Sequence, residues 1–113
     1  FGFKNGVPLD ADFMFDVRFL ANPYYELELR SQTGLDASVS KYVFEQPNAL
    51  EALENISSLM EKWIPLHAAA GKTFLTVAIG CTGGQHRSVA ITQALVDRLN
   101  EQFNLVTAMH RDL

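Results

Sequence analysis

Apolar residues fall at every second position from Ala11 to Phe19. Phe13, Phe15, Val17 and Phe19 share one face, while Asp12, Met14, Asp16 and Arg18 share the other. That period predicts a strand with one core face and an acid–base pair displayed opposite. Lys72–Gly80 is a nearly continuous apolar run, as expected of a strand covered on both faces. Between the two the period lengthens. Leu50, Leu53, Ile56, Met60, Trp63 and Ile64 recur at helical spacing. Asn48 is placed to cap that helix just after Pro47, Pro65 kinks it or ends its regular part, and Gly71 closes it. Asp36 and Pro47 bracket a shorter predicted helix over Ala37–Glu45. Val89, Leu95 and Leu99 mark the inward face of a helix from Ser88 to about Gln102, and Leu105–Met109 reads as a last strand. Phe1–Pro8, with Gly2 and Gly6, reads as a loop or tight turn, and Ala21–Tyr25 and Thr33-Gly34 break the pattern.

Strand, loop, helix and strand within so few residues imply a parallel crossover. The expected fold is therefore α/β, with a mainly parallel sheet and crossover helices in a single domain over residues 1–113. In such sheets ligands settle outside the carboxyl ends of the strands. The loop Gly80–Arg87 lies at such an end. Asp16 and Arg18, late in the first strand, reach the same crevice if that strand runs parallel to the second.

That loop concentrates the candidate chemistry. Cys81, Thr82, Gly83, Gly84, Gln85, His86, Arg87 and Ser88 run from a predicted strand into a predicted helix. Adjacent glycines let backbone N–H groups approach a ligand, the helix adds its positive end, and Arg87 supplies a planar fork suited to phosphate. The result is an anion cradle. Cys81, Gly84, Arg87 and Ser88 also match the cysteine-phosphatase pattern C-x-x-G-x-x-R-S/T, in which a thiolate attacks phosphorus. Gly80 stands where a histidine often precedes that cysteine, and no general acid is evident among Asp10, Asp12 and Asp16. Binding without catalysis is the stronger reading, and a cysteine-dependent phosphatase is the rival. Two look-alikes carry no ATP chemistry. Ala70-Gly71-Lys72-Thr73 precedes a strand and lacks the first glycine of a P-loop, and His110-Arg111-Asp112-Leu113 stands without the other kinase motifs. No cluster has metal-ligand spacing.

Composition narrows the context. Hydrophobic residues make up 48% and charged residues 19%, ordinary for a soluble globular protein, and the net charge of −4 does not favour an unaided grip on nucleic acid or an acidic membrane. A lone cysteine points to a reducing compartment, and no apolar run is long enough to span a bilayer. A cytoplasmic location follows as the expectation. The chain starts at Phe1 without methionine, so it is expected to be part of a longer polypeptide.

Several separate stretches resemble one family. Gly2–Asp12 (GFKNGVPLDAD), Phe15–Tyr25 (FDVRFLANPYY), Thr33–Asp36 (TGLD) and Gly80–Val89 (GCTGGQHRSV) look like the C-terminal domain of the RapZ/YvcJ family, in the right order and across the whole chain. The resemblance implies a fold similar to a 6-phosphofructokinase half-domain without its catalysis. It also implies a preceding P-loop domain that binds and hydrolyses ATP or GTP, so no cofactor is expected in this one. In enterobacterial members the domain binds small regulatory RNA, presents it to RNase E, senses glucosamine-6-phosphate and belongs to an oligomeric protein. Carried over, the anion pocket comprises Asp16, Arg18, Cys81, Thr82, Gly83, Gly84, His86 and Arg87, and Ser88 joins it from the loop pattern. Lys4, Arg30 and Arg111 are the candidate RNA contacts. The expected ligand is an amino-sugar phosphate, with inorganic phosphate or sulfate binding weakly in its place, and a homo-oligomer is expected.

Overall fold

The α/β class and parallel pairing are present, but not through the expected crossover, whose last strand at Leu105–Met109 is absent. A computed structural model describes residues 1–113 and contains strand β1 (Phe13–Asp16), helices α1 (Ala37–Phe44) and α2 (Pro47–Ala69), strand β2 (Val77–Gly80) and helix α3 (Arg87–Leu99), with 3-10 turns at Phe3–Asn5 and Pro23–Tyr25. β1 and β2 pair in parallel, from Phe13 opposite Val77 to Asp16 opposite Gly80. Such strands need a long connection, and α1 and α2 supply it. The fold is α/β.

Phe1–Phe3, expected as loop, extends this sheet. Phe1 N donates to Ile79 O (2.8 Å), Cys81 N to Phe1 O (3.0 Å) and Phe3 N to Cys81 O (2.8 Å). Gly2 thus lies in a parallel bridge with Cys81, on the side of β2 away from β1. Gly80 makes room for the added segment. A Cβ there would stand 2.5 Å from Phe1 Cζ and 2.6 Å from Phe3 Cε2, whose rings pack edge-on at 4.8 Å. No histidine fits before Cys81 for the same reason.

The core joins Val17 and Leu20 after β1, Val39 and Val43 of α1, Leu53, Ile56 and Met60 of α2, Ile79 of β2, and Ile91, Leu95 and Leu99 of α3. Several element boundaries differ from expectation. β1 stops at Asp16 and the chain turns, with Leu20 N donating to Val17 O (3.2 Å), so Leu20 is buried and Phe19 is exposed. Lys72–Thr76 is not strand, because Thr76 is held by Asp12 instead: Asp12 N and Phe13 N both donate to Thr76 O, and Thr76 N donates to the Asp12 carboxylate.

Leu105–Met109 forms no strand either. β2 is flanked at its carboxyl end by β1 and by Phe1–Phe3, and the late segment folds back onto α3 through Asn100 Nδ2 donating to Val106 O (3.2 Å). Pro47 itself opens α2, with Gln46 rather than Asn48 before it. That suits a residue with no N–H to leave unpaired at the first helical position. Pro65 lies within α2 without ending it, and Gly71 follows at φ +95°. Asp36 precedes α1, but its carboxylate accepts from Thr33 N (2.8 Å) and leaves the helix uncapped. α3 ends at Leu99, short of Gln102. No helix is long and apolar enough to cross a membrane.

Candidate functional site

The Cys81–His86 loop leaves the carboxyl end of β2 and delivers the chain to the N-terminus of α3. Gly84 turns it at φ +75°, and Gly34 N donates to Gln85 O (2.8 Å) to hold it from the far side. Cys81 is buried, with its Sγ 3.2 Å from Ser88 Oγ. Burial pushes the thiol pKa up. The Ser88 hydroxyl, the backbone N–H groups of Ser88 and Gly84, and the Arg87 charge outweigh it and bring the pKa below its ordinary value. A thiol whose pKa is depressed by folding stabilises the fold above its unfolded pKa, and that contribution is lost as pH falls through the folded value. Ultraviolet thiolate absorbance followed against pH is therefore expected to show a lower midpoint in the folded chain than in urea. Ser88→Ala should move the folded midpoint up, and equal midpoints in folded and unfolded chain would contradict the cradle.

Arg87 is only 4% exposed. Its Nη1 donates to Arg18 O (2.9 Å) and Leu20 O (2.8 Å), and Nη2 donates to Thr82 Oγ1 (3.2 Å). One edge of the guanidinium thus ties the turn after β1 to the loop. On the other edge Nε is buried without a partner. His86 is likewise 7% exposed, and its Nε2 has no partner. Buried polar nitrogens are seldom left unpaired, so two in adjacent residues are informative.

Both residues line a cleft of about 330 Å³, together with Cys81, Thr82, Gly83 and Gln85 from the loop, Lys4 from the first 3-10 turn, and Asn22, Tyr24 and Tyr25 from the second. A shallower hollow of about 350 Å³ between Gly34, α1 and α3 contains none of the predicted site residues. Among those residues, Cys81, Thr82, Gly83, His86 and Arg87 meet in the cleft. Gly84 bends the loop beside Gly2 and Asp112, and Ser88 faces the thiol. Asp16 and Arg18 sit next to Arg87 but pair with each other. Arg18 Nε and Nη2 reach the carboxylate at 2.7–3.1 Å, and the guanidinium stacks 3.9 Å over the Phe3 ring. Arg18 is the main reason the Asp16 carboxyl titrates below its usual range, with Arg87 adding to it.

Of the three candidate RNA contacts, Lys4 lines the cleft. Arg30 is spent on Tyr24, and Arg111 on Asp112 and Gly6 O. Asn22 and Gln85 belong to the cleft although neither residue type marks a site by itself, and the sequence leaves Tyr24 and Tyr25 open between capping the core and stacking on a ligand. The signal present in the chain is two aromatics directly after Asn22-Pro23, a turn that pushes its neighbours toward solvent.

The profile of the RapZ C-terminal domain matches residues 1–113. The chain belongs to the RapZ C-terminal domain family. Its relatives agree with that assignment. The chain is 51% identical over 113 residues to a nucleotide-binding protein of Pseudomonas fluorescens Pf-5, and 49% identical over 113 residues to a nucleotide-binding protein of Shewanella woodyi. A nucleotide-binding protein of Burkholderia thailandensis is 54% identical over 112 residues. These matches take in 99–100% of this chain but only 37–40% of each relative, so the chain spans about two fifths of the curated proteins it resembles. Of the stretches that carry the resemblance, Gly2–Asp12, Phe15–Tyr25 and Gly80–Val89 together supply every residue that lines the cleft.

Proposed function

We propose that this RapZ C-terminal domain is a non-catalytic regulatory domain whose cleft receives the phosphate of a small sugar phosphate, a phosphorylated amino sugar of the glucosamine-6-phosphate kind. The observation that carries the reading is that His86 and Arg87, each with a buried side-chain nitrogen that has no partner, line one cleft at the carboxyl end of β2. An anion seated there would meet the Thr82 hydroxyl, Lys4 and backbone N–H groups at the start of α3, with Arg87 Nε–H and the His86 ring as donors still unspent. Asp16, half-exposed, within the field of Arg87 and paired with Arg18, lies outside the cleft lining, so it meets an ammonium on the sugar only where the ring reaches past the cleft toward Arg18.

Phosphoryl transfer draws less support. Cys81 is 3% exposed, and no carboxylate lines the cleft to protonate a leaving oxygen. On this reading the nucleotide binding in the relatives' names belongs to the part of those proteins beyond this domain, as the family resemblance implies.

Calorimetric titration of the full-length protein with glucosamine-6-phosphate, glucose-6-phosphate and inorganic phosphate tests the reading. Lys4→Ala is expected to weaken all three by about 1 kcal/mol, roughly fivefold in Kd. Asp16→Asn should erase the preference for the amino sugar while leaving phosphate binding in place. Absence of binding by every one of these anions at millimolar concentration would overturn the proposal.

A further inference from the structure

Tyr24 and Tyr25 line the same cleft as His86 and Thr82. They are 49% and 77% exposed, so their rings are not there to fill the core. The turn that presents them is nevertheless rigid. Pro23 is buried at its start, Asn22 Oδ1 accepts from Tyr24 N (3.1 Å), and Glu26 N closes it on Pro23 O (2.9 Å). Arg30 braces it twice: Nε donates to Tyr24 O (2.8 Å), and the guanidinium lies 4.6 Å over the Tyr24 ring. The two tyrosine rings meet edge-on, with centroids 6.1 Å apart. Tyr24 is thus braced by Arg30 and meets Tyr25 edge-on, and both rings are left open to solvent on the wall of a cleft whose other residues are mostly polar or charged. Little ordering remains to be done when a ligand arrives.

We propose that the Tyr24–Tyr25 turn is a ring-stacking subsite, so that the ligand is the phosphate monoester of a cyclic molecule. Its ring lies against a tyrosine while its phosphate reaches the His86–Arg87 end. The inference deepens the anion-site reading given above and rests on it. A tyrosine face is electron-rich and attracts the C–H groups of a pyranose or the edge and face of a nucleobase. The Asn22 and Gln85 amides, also in the cleft, can pair with ring hydroxyls or base edges. At about 330 Å³ the cleft is at the small end for ligand pockets, which suits one ring system with one phosphate and not a dinucleotide. Hexose phosphates and nucleoside monophosphates share this chemistry.

The test is calorimetric titration of the full-length protein with four probes: glucosamine-6-phosphate, open-chain sorbitol-6-phosphate, AMP and inorganic phosphate. Binding that survives His86→Ala is assigned outside the cleft. The wild type is expected to bind a cyclic ester about three- to tenfold more tightly than the open-chain one. Tyr24→Ala or Tyr25→Ala should remove that advantage, Tyr→Phe at the same position should keep it, and inorganic phosphate should bind equally in the wild type and all the tyrosine variants. The cyclic ester that loses more identifies the source, sugar or nucleoside. Equal affinity of cyclic and open-chain esters in the wild type overturns the subsite while leaving the anion site standing. So does a parallel loss of inorganic phosphate binding in the alanine variants, which marks the tyrosines as structural. Failure of every probe, inorganic phosphate included, removes the anion site and the subsite with it.

Discussion

Arg87→Met is expected to destabilise the domain by about 3–5 kcal/mol in urea unfolding, because it strands buried acceptors as well as removing a charge. Arg18 O and Leu20 O both face Nη1, at 2.9 and 2.8 Å, and Thr82 Oγ1 faces Nη2. Methionine matches much of the volume, so the loss reports the hydrogen bonds more than a cavity. Each acceptor left without a donor costs about 1–3 kcal/mol, which is a large share of the stability of a domain this size. Arg87→Lys is expected to recover less than half of the deficit, since one ammonium cannot span two backbone carbonyls and a hydroxyl as a planar guanidinium does. Anion binding should fall in both variants, because Nε disappears with the guanidinium. A stability loss below about 1 kcal/mol for Arg87→Met would show that the turn after β1 does not depend on this tie.

Gly84→Ala is expected to cost about 2–4 kcal/mol, from two separable sources. At φ +75° any side chain meets the left-handed penalty of about 1–2 kcal/mol. The added Cβ would also stand 2.5 Å from Gly2 N and 2.7 Å from Phe1 C. These are backbone atoms of the segment paired with β2, and they can yield only by loosening the Cys81 N to Phe1 O bond. Gly6→Ala supplies a positive-φ substitution without the clash, since Gly6 has φ +89°, ψ 150° and nothing within 4 Å of the new Cβ. Thermal or urea unfolding should place Gly84→Ala below Gly6→Ala by about 1–3 kcal/mol, the usual size of an overpacking penalty. Equal losses would mean that the Phe1–Phe3 segment gives way freely and does not shape the loop.

The same contrast explains how much of the site is legible in the chain. Alternation of Phe13, Phe15 and Val17 against Met14 and Asp16 marks β1, and the apolar Val77–Ile79 marks β2. Because both lie in one parallel pair, Asp16 and the loop after Gly80 have to emerge at the same end. The loop motif also carries the family. The tyrosine pair is undecidable from residue type, because exposure is what separates a core cap from a stacking platform. The Phe1–Phe3 pairing is invisible because so short an extended segment shows no period, and its place depends on Gly2, Gly80 and Gly84 letting distant backbones approach.

Residue order alone determined the α/β class, the positions of the two strands and three helices to within a few residues, the family, and which loop holds the concentrated chemistry. The class and the elements follow from side-chain periodicity and turn chemistry among neighbours in the chain, which also suggested a strand at Leu105–Met109 that does not form. The family follows from the resemblance of its motifs. Only the tertiary structure decided that Arg87 spends one edge on Arg18 and Leu20, carbonyls 69 and 67 positions away, and keeps Nε unpaired. It alone decided that Asp16 and Arg18 satisfy each other and that two tyrosines share a wall with His86. A donor's partner is set by which segments meet in space after the core has closed, and no local pattern encodes that.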